Sequence, residues 1–96
     1  MARFDFDPEK ARVNERKHGV SFEEAATAFM DPGALETFDA RHSVDEDRYV
    51  LLGLSGEGRI LVVVFTQRHR RKGQVLRLIS ARRASRTEIA QYLKRG

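Results

Sequence analysis

The chain contains no cysteine, which removes disulfides and thiolate-held metal from consideration. No apolar run approaches the roughly 20 residues of a membrane-spanning helix. The longest, Ile60–Phe65, has six. The opening MARFDFDPEK lacks the apolar stretch of a signal peptide, so the default expectation is a cytoplasmic protein with no membrane partner. Phosphate-cradling glycine loops, the dinucleotide-binding glycine turn, the HExxH pair and the hydrolase nucleophile elbow are all missing. The three histidines, His18, His42 and His69, are not at metal-ligand spacing. Neither a cofactor nor a metal site is therefore expected.

Acid is also scarce, but only in one half. Residues 59–96 hold 11 Lys/Arg and the single acid Glu88, a net of +10, whereas residues 1–58 hold 7 Lys/Arg against 13 Asp/Glu, a net of −6. A half so basic points to a polyanionic partner such as nucleic acid, or else to a solvated surface balanced by the acidic half. With 41% apolar and 33% charged residues over 96 positions, the chain has the composition of one globular domain, 1–96.

Local signals place the elements. Arg3–Phe6 alternates as a short strand with Phe4 and Phe6 inward. Asp7 caps and Pro8 opens a first helix, which Gly19 stops after His18. Lys10, Asn14, Lys17 and His18 fall on one face of that helix, either a stripe that binds phosphate and moves a proton or a solvated face. Ser21-Phe22-Glu23-Glu24 reads as a capping box for a second helix whose Phe22, Ala25, Ala26 and Phe29 seek the core. Asp31-Pro32-Gly33 ends it, and Leu35 with Phe38 suits a short strand.

The polar run DARHSVDED, with Arg41 and His42 among acids, is either an exposed loop or part of a site. Arg48–Ser55, Arg59–Thr66 and Val75–Ala81 read as three antiparallel strands in a meander. The doubly apolar ILVVVF run marks the middle one, and Gln67–Gly73 reads as a basic turn. On the last strand, strict alternation puts Leu76, Leu78, Ser80 and Arg82 on one face and Val75, Arg77, Ile79, Ala81 and Arg83 on the other. Ser85-Arg86-Thr87-Glu88 is a second capping box, opening a final helix with Ile89, Tyr92 and Leu93 on its apolar edge. The expected class is α+β: a small antiparallel sheet, made of the N-terminal strand and the meander, packed by two N-terminal helices and one C-terminal helix.

Lys, Arg, His, Glu and Tyr remain as chemistry-bearing groups, and they suffice for metal-independent RNA cleavage. The 2′-hydroxyl of RNA is the nucleophile; the protein supplies proton transfer and cations for the charge that develops on phosphorus. A basic module that grips nucleic acid without cutting it is the alternative.

The segments FDFDPEKARVNERKHGVSFEEAATAFMDP, DARHSVDEDRYVLLGLS, GRILVVVFT and RLISARRASRTEIAQY closely resemble the BrnT family of bacterial toxins, from Phe4 to Tyr92. The resemblance implies a RelE-like ribonuclease fold and RNA cleavage that inhibits translation and growth. It implies a BrnA-type antitoxin partner that neutralises the toxin, with operator DNA touched only through the antitoxin. It matches Lys10 and His18 on the first helix, Arg41, His42, Glu46 and Arg48 in the loop and strand entry, Ser80 and Arg82 on the closing strand, and Tyr92 on the final helix. Phe6 stands where the family usually has Trp.

The division of labour expected from these residues has His18 or His42 moving protons and Lys10, Arg48 and Arg82 holding the scissile phosphate. Tyr92 would orient a base or the leaving group, and Glu46 would act either as a base or, the preferred reading, as the ion-pair partner of Arg48. Lys17, Arg41, Arg77 and Arg83 would bind RNA around the catalytic set. His18 and Lys10 are expected to meet Arg82 across one cleft, and the surface over residues 68–83 is expected to receive an acidic or amphipathic antitoxin segment.

Overall fold

The computed structural model describes residues 3–44, 46–71 and 73–95, and only the backbone at 69 and 70. The first helix, α1 (Pro8–His18), keeps the predicted bounds. The Asp7 carboxylate accepts from the Glu9 amide at 2.9 Å, and Gly19 closes the helix in the left-handed region at φ 69°, where a side chain would be strained. The second helix, α2 (Phe22–Thr27), continues into a 3₁₀ turn at Ala28–Met30. Ser21 caps it as expected, but Glu24 does not reach back to complete the box. Its buried carboxylate instead takes the Arg59 guanidinium and the Ser55 hydroxyl, while Arg59 also donates to the Gly19 carbonyl. That network pins the α1–α2 junction to the turn after the third strand. The Arg59 guanidinium, then Ser55, hold the Glu24 carboxyl below its ordinary range against the opposing effect of burial.

Five strands form one mixed sheet: β1 (Arg3–Asp5), β2 (Leu35–Phe38), β3 (Arg48–Leu54), β4 (Ile60–Arg70) and β5 (Gly73–Arg83), in the order β1-β5-β4-β3-β2. The meander is antiparallel with the ILVVVF strand at its centre, as its two apolar faces require. The all-antiparallel expectation is corrected at the edge: β1 lies parallel to β5, Phe4 opposite Leu76. A parallel neighbour needs a long crossover, and here nearly the whole chain, from α1 to β4, supplies it. The expected turn at Gln67–Gly73 is also shorter than it looked. The β4–β5 ladder runs on to Arg70 opposite Gly73; residue 72 lies outside the described residues.

A bulge decides the faces of β5. Val64 pairs with Ser80 and Phe65 with Leu78, so Ile79 is an extra residue that breaks the alternation. Leu76 and Leu78 therefore share a face with Ala81, not with Ser80 and Arg82. On that first face Leu61, Val63, Phe65, Leu76, Leu78 and Ala81 pack with Val20, Phe22, Ala25 and Ala28 from α2 and its flanks. Phe22 and Phe65 are wholly buried, each contributing about 1.5–3 kcal/mol by burial. An aromatic row, Phe4–Phe29–Phe65–Tyr49–Phe38, crosses this face with ring centroids 4.8–5.8 Å apart. Gly53 lets the 3₁₀ turn approach β3, since a Cβ there would stand 3.0 Å from the Ala28 carbonyl oxygen.

The second face is covered only at one end. There α3 (Arg86–Leu93) sets Tyr92 against Leu52 and Val62. Its capping box is complete: Ser85 Oγ accepts from the Glu88 amide and the Glu88 carboxylate accepts from the Ser85 amide.

Candidate functional site

Three depressions lie beside β5, on the second face and at the loop before β3. The first is a cleft of about 280 Å³ between α1 and β5, lined by Glu9, Lys10, Val13, Asn14, Lys17, His18, Ile79 and Ser80. The stripe expected from helical spacing is thus real in space, but its amide is spent on folding. Asn14 is buried and bonds the Ala81 backbone on both sides and the Val20 carbonyl. Lys10, Lys17 and His18 are left around the cleft mouth.

The second depression is a groove of about 400 Å³ that begins at the same Ser80 and crosses Val64 and Val50 to Thr37 and Asp39, with Arg82 and Glu88 on its flank. Arg82 donates to both Glu88 carboxylate oxygens at 2.8 Å. This pair lowers the Glu88 carboxyl to about 2 and raises Arg82. Arg82 therefore does not share a cleft with Lys10 and His18, as expected from sequence. The bulge turns it onto the second face, and Ser80 is the wall the two depressions have in common.

The third depression, about 360 Å³, is lined by Arg41, His42, Val44, Glu46 and Arg48. The loop carrying it is fastened to itself. The Asp39 amide donates to the Arg48 carbonyl at 2.8 Å, Ser43 Oγ donates to the Asp39 carbonyl at 2.5 Å, and the Arg48 amide donates to Ser43 Oγ at 2.8 Å. His42 Nδ1 lies 2.9 Å from Asp39 Oδ2. Next to this loop, Arg48, Thr66 and Arg77 form one cross-strand row on the second face. Arg77 pairs with Asp5 at 2.6 Å, and the wholly buried Thr66 hydroxyl has no hydrogen-bond partner among the described residues. Among those residues, no three His, Cys, Asp or Glu side chains converge as a metal site would require.

Residues 6–88 match the family model described as the ribonuclease toxin, BrnT, of type II toxin–antitoxin systems. The chain belongs to the BrnT family. The crystal structure of the Brucella abortus ribonuclease toxin BrnT superposes with a TM-score of 0.64, covering 90% of this chain and 99% of that one at 23% identity, so the fold is shared. No curated protein matched the chain in a sequence search. A BrnT toxin has an antitoxin partner by the definition of the type II system. No described helix is long and apolar enough to cross a membrane.

Three expected residues have other duties in this BrnT chain. Tyr92 is buried, and its hydroxyl donates to Asp31 Oδ2 at 2.5 Å while Arg95 stacks 3.6 Å over its ring. Asp31 also accepts from the Leu54 and Gly33 amides, so the phenol belongs to a tie between α3 and the end of β3. Glu46 pairs with Arg68 at 2.6 Å rather than with Arg48. Arg83, opposite Leu61, lies on the helix-covered face away from Arg82 and helps hold the Glu24 carboxyl down. Asp39 and Thr66 were not found from sequence. Asp39 lay within the DARHSVDED segment, but only the closed loop shows which acid meets His42.

Proposed function

We propose that this chain acts in the cytoplasm as a single-domain, metal-independent endoribonuclease of RelE-like architecture, laying RNA across the second face of the sheet. The supporting observation is how the three depressions adjoin. Ser80 lines both the Lys10–Lys17–His18 cleft and the central groove, and Asp39, which lines that groove, bonds His42 of the third depression. Cations stand at both ends, Lys10 and Lys17 at one and Arg48 and Arg41 at the other, while Arg82, paired with Glu88, flanks the groove and Arg77, paired with Asp5, lies on the same face. Val50, Val62 and Val64 between them offer an apolar floor for bases.

The chemistry suited to these groups is transesterification. A base takes the proton of the 2′-hydroxyl, and its oxygen bonds to the adjacent phosphorus. The phosphorus–O5′ bond then breaks, and an acid protonates the leaving O5′. The products are a 2′,3′-cyclic phosphate and a 5′-hydroxyl end. Guanidinium and ammonium groups stabilise the pentavalent phosphorus charge, each well-placed donor lowering the barrier by roughly 2.7–4 kcal/mol.

Neutralisation falls to a BrnA-type antitoxin covering part of this track and the 68–83 surface, with operator DNA contacted through that antitoxin. Incubating purified protein with end-labelled RNA in EDTA tests the reading. Fragments ending in 2′,3′-cyclic phosphate support it. Intact RNA retained in a salt-dependent way makes the chain a binding module instead, and no retention at all removes RNA as the ligand.

A further inference from the structure

We infer that His42, not His18, takes the 2′-hydroxyl proton at this site, the leaving O5′ taking its proton from solvent, and that Asp39 is the positioning residue of His42. The inference rests on the ribonuclease reading above and assigns roles within it.

An imidazole works best as an acid or base when one ring nitrogen is held, so that the other is presented in a fixed direction and protonation state. The two histidines differ in this respect. His42 Nδ1 sits 2.9 Å from Asp39 Oδ2. An ionised carboxylate only accepts, so the proton of neutral His42 is on Nδ1 and the bare Nε2 is presented outward. The His42 side chain is 66% exposed and its Asp39 partner 20%, so the orienting carboxylate is sheltered while the imidazole meets solvent and substrate. His18 makes no side-chain hydrogen bond or ion pair among the described residues and stands at the end of α1, beside Lys17.

The backbone of Asp39 is also fixed, by the Arg48 carbonyl and the Ser43 hydroxyl, so the loop sets where its side chain starts. Ser43 at the same time holds the Arg48 amide. The imidazole and the guanidinium that would flank one phosphate are thereby registered to each other through Asp39 and Ser43. A purely structural reading, in which Asp39 merely caps the short 3₁₀ turn Ala40–His42, predicts no effect on the tautomer or on turnover.

The test uses the full-length protein and a labelled single-stranded RNA in EDTA, comparing wild type with Asp39→Asn, His42→Ala and His18→Ala. His42→Ala is expected to lower kcat by roughly 10²–10⁴-fold with KM little changed. His18→Ala is expected to raise KM and leave kcat near wild type. Asparagine at 39 keeps the backbone contacts but offers its amide N–H to Nδ1, reversing the tautomer, and kcat should fall by roughly 10²-fold or more. Nitrogen-15 NMR of the neutral imidazole reads that reversal directly: protonated Nδ1 in wild type, protonated Nε2 in Asp39→Asn. Full turnover in His42→Ala, or a loss of kcat confined to His18→Ala, overturns the assignment to His42. An unchanged tautomer and kcat in Asp39→Asn overturns the role of Asp39. If wild-type protein leaves RNA intact, the ribonuclease reading itself falls and this inference with it; cleavage by wild type that survives His42→Ala removes this inference alone.

Discussion

Asn14 stands in for a missing strand at Ala81. Its Oδ1 accepts from the Ala81 amide at 3.1 Å and its Nδ2 donates to the Ala81 carbonyl at 2.9 Å. β1 ends at Asp5, opposite Arg77, so the outer edge of β5 beyond that point has no strand to bond it. A single buried side chain satisfies the open backbone there and, through the Val20 carbonyl, fixes the exit of α1. Replacing Asn14 by Ala strands these buried groups, each costing about 1–3 kcal/mol. The variant is expected to lose about 3 kcal/mol in urea unfolding. A loss under 1 kcal/mol would mean that water replaces the amide.

Tyr92 and Asp31 make the second tie. Tyr92→Phe removes a charge-assisted hydrogen bond from a buried ring and is expected to cost about 1.5–3 kcal/mol while RNA cleavage stays at the wild-type rate. The Tyr92 hydroxyl, followed by the Leu54 amide, lowers the Asp31 carboxyl below its ordinary 3.8. A depressed carboxyl contributes stability that is present above its unfolded value and disappears as pH falls through the folded one. The gap in stability between wild type and Tyr92→Phe should therefore be full at pH 6 and narrow below pH 4. Loss of cleavage in a folded Tyr92→Phe would return the phenol to the active site.

What was legible in the sequence and what was not follow one physical division. Signals that act within a few residues were readable: Asp7 and Gly19 bound α1, Ser85 and Glu88 box α3, and the ILVVVF run marks the central strand. Contacts that close between distant segments were not. Nothing local tells Glu24 to choose Arg59 over its own helix cap, or Tyr92 to choose Asp31, because those partners lie 35 and 61 residues away. The bulge at Ile79 is the costliest gap for the site. One inserted residue reverses every face assignment after it, so Arg82 moves away from His18 and joins Arg77 on the second face. The helical stripe of Lys10, Lys17 and His18 survived because helix periodicity carried it, while the Asp39–His42 pair needed the fold of its own loop.

Glu88 restrains Arg82 in the groove. Its carboxyl, lowered from 4.5 to about 2 chiefly by the Arg82 guanidinium, contributes stability that is complete above pH 5 and is lost as pH falls toward 2. In Glu88→Gln that part of the acid transition should be missing, so the stability difference from wild type shrinks across the same window. At neutral pH the variant also frees Arg82 to meet a phosphate. It is expected to bind single-stranded RNA more tightly at low salt, with the slope of log affinity against log salt steeper by about 0.7 for one added contact. An unchanged slope would show that Arg82 makes no phosphate contact even when released.

Thr66 places a polar group where the fold offers it nothing to bond among the described residues. Its hydroxyl is wholly buried without a partner among the described residues, in the row between Arg48 and Arg77. An orphaned hydroxyl costs about 1–3 kcal/mol, so exchanging it for a methyl group in Thr66→Val should stabilise the fold, by about 1 kcal/mol after imperfect repacking. For a chain of this length that corresponds to a rise in Tm of roughly 4–8 °C. Thr66→Ser keeps the polar atom, removes a packed methyl and should lose stability instead. Both cross-strand neighbours are arginines of the proposed RNA track, but the Thr66 side chain itself is closed to solvent, so Thr66→Val is expected to be more stable and to bind RNA as wild type does. If it is less stable than wild type, the hydroxyl has a partner in solution; if it is more stable but binds RNA less well, the row opens to its ligand on binding.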